Sequence, residues 1–310
     1  MGSTASTKAV VSTEWIAEHA KAKGLRVVEV DVDPLAYVKG HIAGAVGWNW
    51  RKDLQDQLNR DVATKESLAN ILGQSGITPD TTIVLYGDNN NWFAAYAYWA
   101  LKYYGHGKVQ LIDGGRVKWE KEGRAYSTEV PSYPATDYKF HGSPKEDIRA
   151  YRDHVASKLG KAGLVDVRSP KEYSGELLAP ENLPQEGAQR GGHIPTAVSI
   201  PWGTAVNTED GTFKSTDELK EIYGGRGITS NKEGIAYGRI GEGSAQTGVG
   251  RRGGVRRDTF VKWRAKYGGA TVAELARLKE LESENAKLKR MYADLALENA
   301  AIKDVLARKL

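Results

Sequence analysis

Brief apolar runs recur along this chain, each bounded by an acid, a glycine or an arginine. They read Val27-Val28-Glu29-Val30-Asp31, Ile83-Val84-Leu85-Tyr86-Gly87, Val109-Gln110-Leu111-Ile112, Leu164-Val165-Asp166-Val167-Arg168 and Gly234-Ile235-Ala236-Tyr237-Gly238. Between them lie stretches with helical character: Leu68 to Leu72, the aromatic run Trp92 to Trp99, and Asp217 to Tyr223, for which Thr216-Asp217 offers an N-cap. Strands alternating with helices predict an α/β fold built on parallel sheets. The proline-rich segment Pro131 to Pro144 reads as a linker.

The pattern repeats. Gly40–Val46 reads GHIAGAV and Gly192–Val198 reads GHIPTAV, an offset of 152. Ile83–Gly87 corresponds to Gly234–Gly238 at an offset of 151. Matches in one order, at offsets that differ by a single residue, indicate duplication. The first half continues with its aromatic helix and the strand Val109–Ile112. Equivalents are expected near residues 243–251 and 260–267, where the sequence instead shows Gly243-Ser244-Ala245-Gln246 and the basic run Arg251 to Lys266. The expectation is therefore two similar domains, 1–130 and 146–243, joined by linker 131–145, the second truncated after its loop. A basic segment, 244–270, and a helix, 271–310, are expected to follow.

With 310 residues, 40% hydrophobic and 27% charged, the chain has the composition of a globular protein of two domains. No apolar run is long enough for a membrane span, and Met1–Lys8 has no signal-peptide core, so a cytoplasmic location without membrane contact is expected. Cysteine is absent, which excludes disulfides, thiolate metal sites and a cysteine nucleophile. The histidines (His19, His41, His106, His141, His154, His193) show no metal-ligand spacing, and Gly248–Gly253 fits G-x-G-x-x-G without a βαβ context. Neither metal nor cofactor is expected. Charge is uneven: residues 244–310 carry fifteen Lys/Arg against eight Asp/Glu. That asymmetry points the C-terminal fifth toward nucleic acid.

In open parallel sheets, ligands bind at the C-terminal ends of strands. The loop Gly238-Arg239-Ile240-Gly241-Glu242-Gly243-Ser244 occupies such a place, and glycine-rich turns there can form anion-binding nests. The segments VEVD (Val28–Asp31), DLQD (Asp53–Asp56), NNNWFAAYAYW (Asn89–Trp99), LIDGG (Leu111–Gly115), LPQE (Leu183–Glu186) and GHIP (Gly192–Pro195) make the resemblance specific. From about Val11 to Ser244 the chain resembles the tandem-domain rhodanese family, the thiosulfate:cyanide sulfurtransferases. The resemblance implies a second-domain loop of the form C-R-I-G-E-R, which places the family's cysteine nucleophile at Gly238 and its final arginine at Gly243. It also implies a non-catalytic first domain, in which Gly87-Asp88 stands where a nucleophile would be. Sulfane sulfur is carried as a persulfide, so glycine at 238 predicts an inactive chain, and the Ser244 hydroxyl cannot replace the thiolate. Gly238→Cys alone is expected to restore little, for want of the closing helix and strand and of the arginine at 243. An ordered loop could still hold thiosulfate or a similar sulfur oxyanion, with Arg239 either beside it or exposed to solvent. Asp166, Arg168 and His193 are expected to support the domain.

The last forty residues carry a heptad. Leu278, Asn285, Tyr292, Asn299 and Leu306 fall at a, and Leu281, Leu288, Leu295 and Ile302 at d, which predicts a long coiled-coil helix and a parallel homodimer. Ahead of it, Thr259-Phe260-Val261-Lys262-Trp263-Arg264-Ala265-Lys266-Tyr267-Gly268-Gly269 resembles the recognition helix in the small subunit of insertion-sequence transposases, which runs into a leucine zipper. The first helices of that helix-turn-helix are not visible. Arg251, Arg252, Arg256, Arg257, Lys262 and Arg264 are therefore expected to give weak, salt-sensitive DNA binding rather than base readout. Three functions follow as expectations: an inactive sulfurtransferase by descent, a dimeric DNA-binding fusion, and a sulfur-oxyanion-binding pseudoenzyme.

Overall fold

The computed structural model describes residues 9–56, 61–179, 188, 190–229, 231–239, 241–251, 258–261, 284, 287 and 291. In chain order the first domain comprises β1 (Val10–Val11), α1 (Thr13–His19), β2 (Leu25–Glu29), α2 (Ala36–Lys39), β3 (Val46–Gly47), α3 (Trp50–Asp53), β4 (Gln55–Asp56), β5 (Asp61–Val62), α4 (Lys65–Gln74), β6 (Thr82–Tyr86), α5 (Asp88–Tyr104), β7 (Val109–Ile112) and α6 (Gly115–Lys121). Its sheet runs in the order β1-β7-β6-β2-β3, with every pairing parallel and Val27 opposite Val84. Ile83 to Tyr86 are wholly buried, as strands covered by helices on both faces must be.

The second domain comprises α7 (Arg152–Ser157), β8 (Gly163–Asp166), α8 (Pro170–Ser174), β9 (Val198–Ser199), α9 (Thr216–Gly224), β10 (Gly234–Tyr237), α10 (Glu242–Arg251) and β11 (Asp258–Val261). Its sheet, β11-β10-β8-β9, is also parallel, with Ile235 opposite both Leu164 and Thr259. The duplication is thus visible strand by strand: β2 matches β8, β3 matches β9, β6 matches β10 and β7 matches β11. Among the described residues the second sheet has no counterpart of β1.

Three expectations are corrected. The closing helix and strand are present, as α10 and β11, close to where the repeat offset puts them. The helix escaped sequence reading because its core-facing side chains, Ala245 and Val249, are small and interspersed with glycine and polar residues. Asp258–Val261 forms a strand parallel to β10, rather than part of a recognition helix. The cap of α9 is Ser215, which forms a capping box with Glu218.

Linker residues from 131 onward carry no helix or strand up to the short 3-10 helix Glu146–Ile148, yet they are strapped to the first domain. Thr136 N donates to Gly73 O over 3.0 Å, and Tyr138 Oη lies 2.8 Å from His106 Nδ1. Helix α5 is apolar on nearly all sides because it is covered on all sides. Phe93, Tyr96, Trp99 and Leu101 are each no more than 3% exposed, and such burial stabilises by about 2 kcal/mol per side chain. Ala245, Val249, Trp202 and Phe213 of the second domain share that core.

Candidate functional site

Strand β10 ends at Tyr237, and Gly238 follows it as a buried residue at the start of the loop. A Cβ added at Gly238 would meet only Val167 Cγ2, at 3.4 Å, an ordinary contact. At Gly243 a Cβ would lie 3.1 Å from Val167 Cγ2 and 3.2 Å from Trp202 Cδ1, which is tighter. Gly241 has φ +105°, a left-handed conformation that suits glycine, and its Cα faces the Tyr96 ring of the first domain. Its carbonyl accepts from Ala245 N and from Ser244 Oγ, both at 2.9 Å, so the loop closes onto the first turn of α10. Ser244 is fully buried and its hydroxyl is engaged in that bond. Ile240 lies outside the described residues, as does the side chain of Glu242.

Arg239 is not a solvent-exposed residue. Its side chain is 5% exposed, and Nη1 lies 2.5 Å from Oε1 of Glu172, itself 2% exposed. The other Glu172 oxygen, Oε2, accepts from Ser169 N and Oγ at the start of α8. The guanidinium also sits 5.9 Å from the Trp92 ring centroid. Its charge is therefore already compensated inside the second domain.

Asp166 ends β8, opposite Tyr237 of β10, and Arg168 follows two residues later. Arg168 Nη2 is 2.6 Å from Asp166 Oδ2 and 2.7 Å from Gly192 O, which ties the strand to the GHIP turn. Tyr237 Oη accepts from Ile194 N in the same turn, and burial pushes its phenol well above the usual range. His193 stacks on Tyr173 at 3.7 Å, with Nδ1 2.9 Å from Tyr173 O. His41 does the same with Tyr37, at 4.0 Å and 2.9 Å. The repeat thus conserves one packing unit in both halves, far from any metal geometry. No group of His, Asp and Glu among the described residues could hold a metal ion.

Sequence reading missed a polar cluster in the first domain, at the matching ends of β2 and β6. Glu29 and Asp31 are 1% and 3% exposed, and Arg116 of α6 pairs with Glu29 while donating to Gly40 O at 2.8 Å. Tyr86 Oη also bonds to Glu29. Asp88 N donates to Asp31 Oδ1 at 2.8 Å, and the Asp88 carboxylate accepts from Val32 N and Asp33 N. Burial, reinforced by Glu29 and Asp88, pushes the Asp31 carboxyl up to about 9. The acids of VEVD were visible, but their arginine stands 87 residues further along the chain.

The C-terminal candidates lie mostly outside the described residues. These are Arg252, Arg256, Arg257, Lys262 and Arg264, the side chain of Arg251, and all of Leu278, Leu281, Asn285, Leu288, Tyr292, Leu295, Asn299, Ile302 and Leu306. Glu284, Lys287 and Met291, none of them at a or d, are helical and exposed. No described helix is long and apolar enough to cross a membrane.

The rhodanese-like domain family matches residues 12–122 and again 151–254. This chain belongs to the rhodanese family. A protein of Saccharopolyspora erythraea named as a thiosulfate sulfurtransferase is 52% identical over 238 residues, which is 77% of this chain and 84% of the relative. One of the same name from Haloferax volcanii is 53% identical over 242 residues, covering 76% of this chain and 84% of the relative. The crystal structure of the 3-mercaptopyruvate sulfotransferase SseA from Escherichia coli superposes with TM-score 0.71 at 23% identity, over 83% of this chain and 99% of that one. An anaerobic ergothioneine biosynthesis enzyme from Chlorobium limicola superposes with TM-score 0.70 at 22% identity, over 84% and 67% of the two chains. These superpositions establish the rhodanese fold. A transposase family matches residues 233–293, so this rhodanese carries a transposase-like region that begins within its second domain.

Proposed function

We propose that this rhodanese is a thiosulfate sulfurtransferase by descent that does not transfer sulfur as it stands. The observation that carries the reading is glycine at the loop position that follows β10, in a chain with no cysteine. In the reaction of the family, a thiolate attacks the sulfane sulfur of thiosulfate, the S–S bond forms on the enzyme and sulfite leaves. Cyanide or a thiol then attacks the persulfide, taking the sulfur and returning the thiolate. Each step needs the sulfur atom that Gly238 lacks. The surrounding parts favour descent from an active site: a loop at a strand end, closed by α10, following a strand that pairs with the one ending at Asp166. Incubation with thiosulfate followed by mass spectrometry tests this. No sulfur adduct is expected on the chain, and one is expected on Gly238→Cys. An adduct on the unaltered chain would sink the reading.

The transposase match favours a second reading, a dimeric DNA-binding fusion through the heptad and the basic residues of 251–264. Sedimentation of the intact chain, together with DNA binding titrated against salt, tests it. A monomer without salt-sensitive binding would exclude it. Binding of a sulfur oxyanion by the loop has less support, because Arg239 is neutralised by Glu172 and the Ser244 hydroxyl is turned to Gly241. Calorimetric titration with thiosulfate decides that case.

A further inference from the structure

The first domain has a loop at the position where the second has its Gly238–Gly243 loop. It consists of Gly87-Asp88-Asn89-Asn90-Asn91, between β6 and the right-handed part of α5. Three consecutive asparagines there are left-handed, with φ 43°, 56° and 66°. Asparagine tolerates this region better than most residues, yet three in succession still store backbone strain. Something must hold the turn. From within, Asn91 does so: its Oδ1 accepts from Gly87 N at 3.0 Å, and its Nδ2 donates to Ile112 O at 2.7 Å. From across the domain seam, two elements of the second domain press on it. The fully buried Gln246 of α10 donates Nε2 to Asn90 O at 2.5 Å. The backbone of Gly211 lies so close that an added Cβ would stand 2.5 Å from Asn90 Oδ1. Beside them, Phe213 N donates to Asp113 Oδ1 at 2.9 Å, and Trp92 stacks on Trp202 with centroids 5.2 Å apart.

We propose that the Gly87–Asn91 loop, which holds no nucleophile, is the seat on which the second domain docks. Its left-handed turn offers the Asn90 carbonyl and side chain to Gln246 and Gly211, and the docked domain holds the turn in place. The seat also fixes where Trp92 and Tyr96 meet Trp202 and Gly241, and so sets the depth of the second-domain loop against α5.

Hydrogen exchange on the full chain tests this, read at the amides of residues 89–92 and, for comparison, at Val27 and Val28 in the core of β2. Gln246→Leu keeps the bulk and removes the donor. Gly211→Ala adds the colliding Cβ at φ +70°, and Gly227→Ala is its control, since Gly227 has φ +76° with nothing within 4 Å. Loss of one such hydrogen bond predicts exchange at 89–92 faster by about fivefold or more in Gln246→Leu. Gly211→Ala should do the same, while Gly227→Ala leaves 89–92 unchanged and β2 stays protected in all three. Unchanged exchange at 89–92 in both seam variants would overturn the proposal. So would a rise in β2 equal to that at 89–92, or an equal effect of Gly227→Ala.

Discussion

Arg239 in the candidate loop and Glu172 on α8 form a buried ion pair, Nη1 to Oε1 2.5 Å, across 67 residues of sequence. A carboxylate 2% exposed cannot be left without its cation cheaply. Arg239→Ala is therefore predicted to destabilise the second domain by about 3–5 kcal/mol, whereas replacing both partners with apolar residues of similar volume should cost far less. Urea denaturation of Arg239→Ala and of the Arg239→Met, Glu172→Leu double variant measures the difference. Equal losses in the two would mean that the pair contributes packing rather than charge compensation.

The first-domain acids predict an unusual pH dependence. Asp31, two residues beyond β2, is faced by Glu29 at the end of that strand, Asp88 at the start of α5 and Arg116 on α6, while Tyr86 on β6 bonds to Glu29. Its folded value of about 9 lies above the ordinary carboxylate range, so the folded state binds the extra proton through the interval between them. Stability should then fall as pH rises from about 4 to about 9, rather than rise as it does for an ion-paired acid. Asp31→Asn, which keeps an acceptor for Asp88 N, should flatten that slope. Chemical denaturation at several pH values across the interval checks it, and an unchanged slope in the variant would contradict it.

The C-terminal segment predicts an assembly. Leucine at the d positions, with asparagine at two a positions, should give a dimer whose association is lost when Leu281 and Leu288 are both changed to aspartate. Sedimentation equilibrium reads this directly. If the intact chain and the double variant sediment alike as monomers, the heptad does not pair.

Much of the architecture was legible because strands buried on both faces leave dense apolar runs, and because duplication printed the pattern twice. Val27–Asp31, Ile83–Gly87 and Leu164–Arg168 lie within a residue or two of β2, β6 and β8. The closing helix was not legible, since Gly243-Ser244-Ala245-Gln246-Thr247-Gly248-Val249 has no apolar stripe and is buried by close approach to α5 rather than by large side chains. The strand Asp258–Val261 was hidden by a transposase-like reading of the same residues. At the site, the loop position followed from the repeat. The partners of Arg239, Glu29 and Asn90 did not, because each comes from an element distant in sequence and pairing of that kind has no local signature.

The presence of α10 and β11 also changes what restoring the nucleophile should do. The loop already closes on its helix, and Gly238 has room for a Cβ, so a cysteine at 238 would stand on a formed scaffold. What remains missing is a cation at Gly243, where added bulk would press on Val167 and Trp202. Thiocyanate formation from thiosulfate and cyanide, assayed side by side for the unaltered chain and for Gly238→Cys, is the most direct measurement. The prediction is no turnover above buffer for the unaltered chain, and slow but measurable turnover for the variant. Robust thiocyanate production by the unaltered chain would contradict the claim that Gly238 leaves this rhodanese without a sulfur carrier.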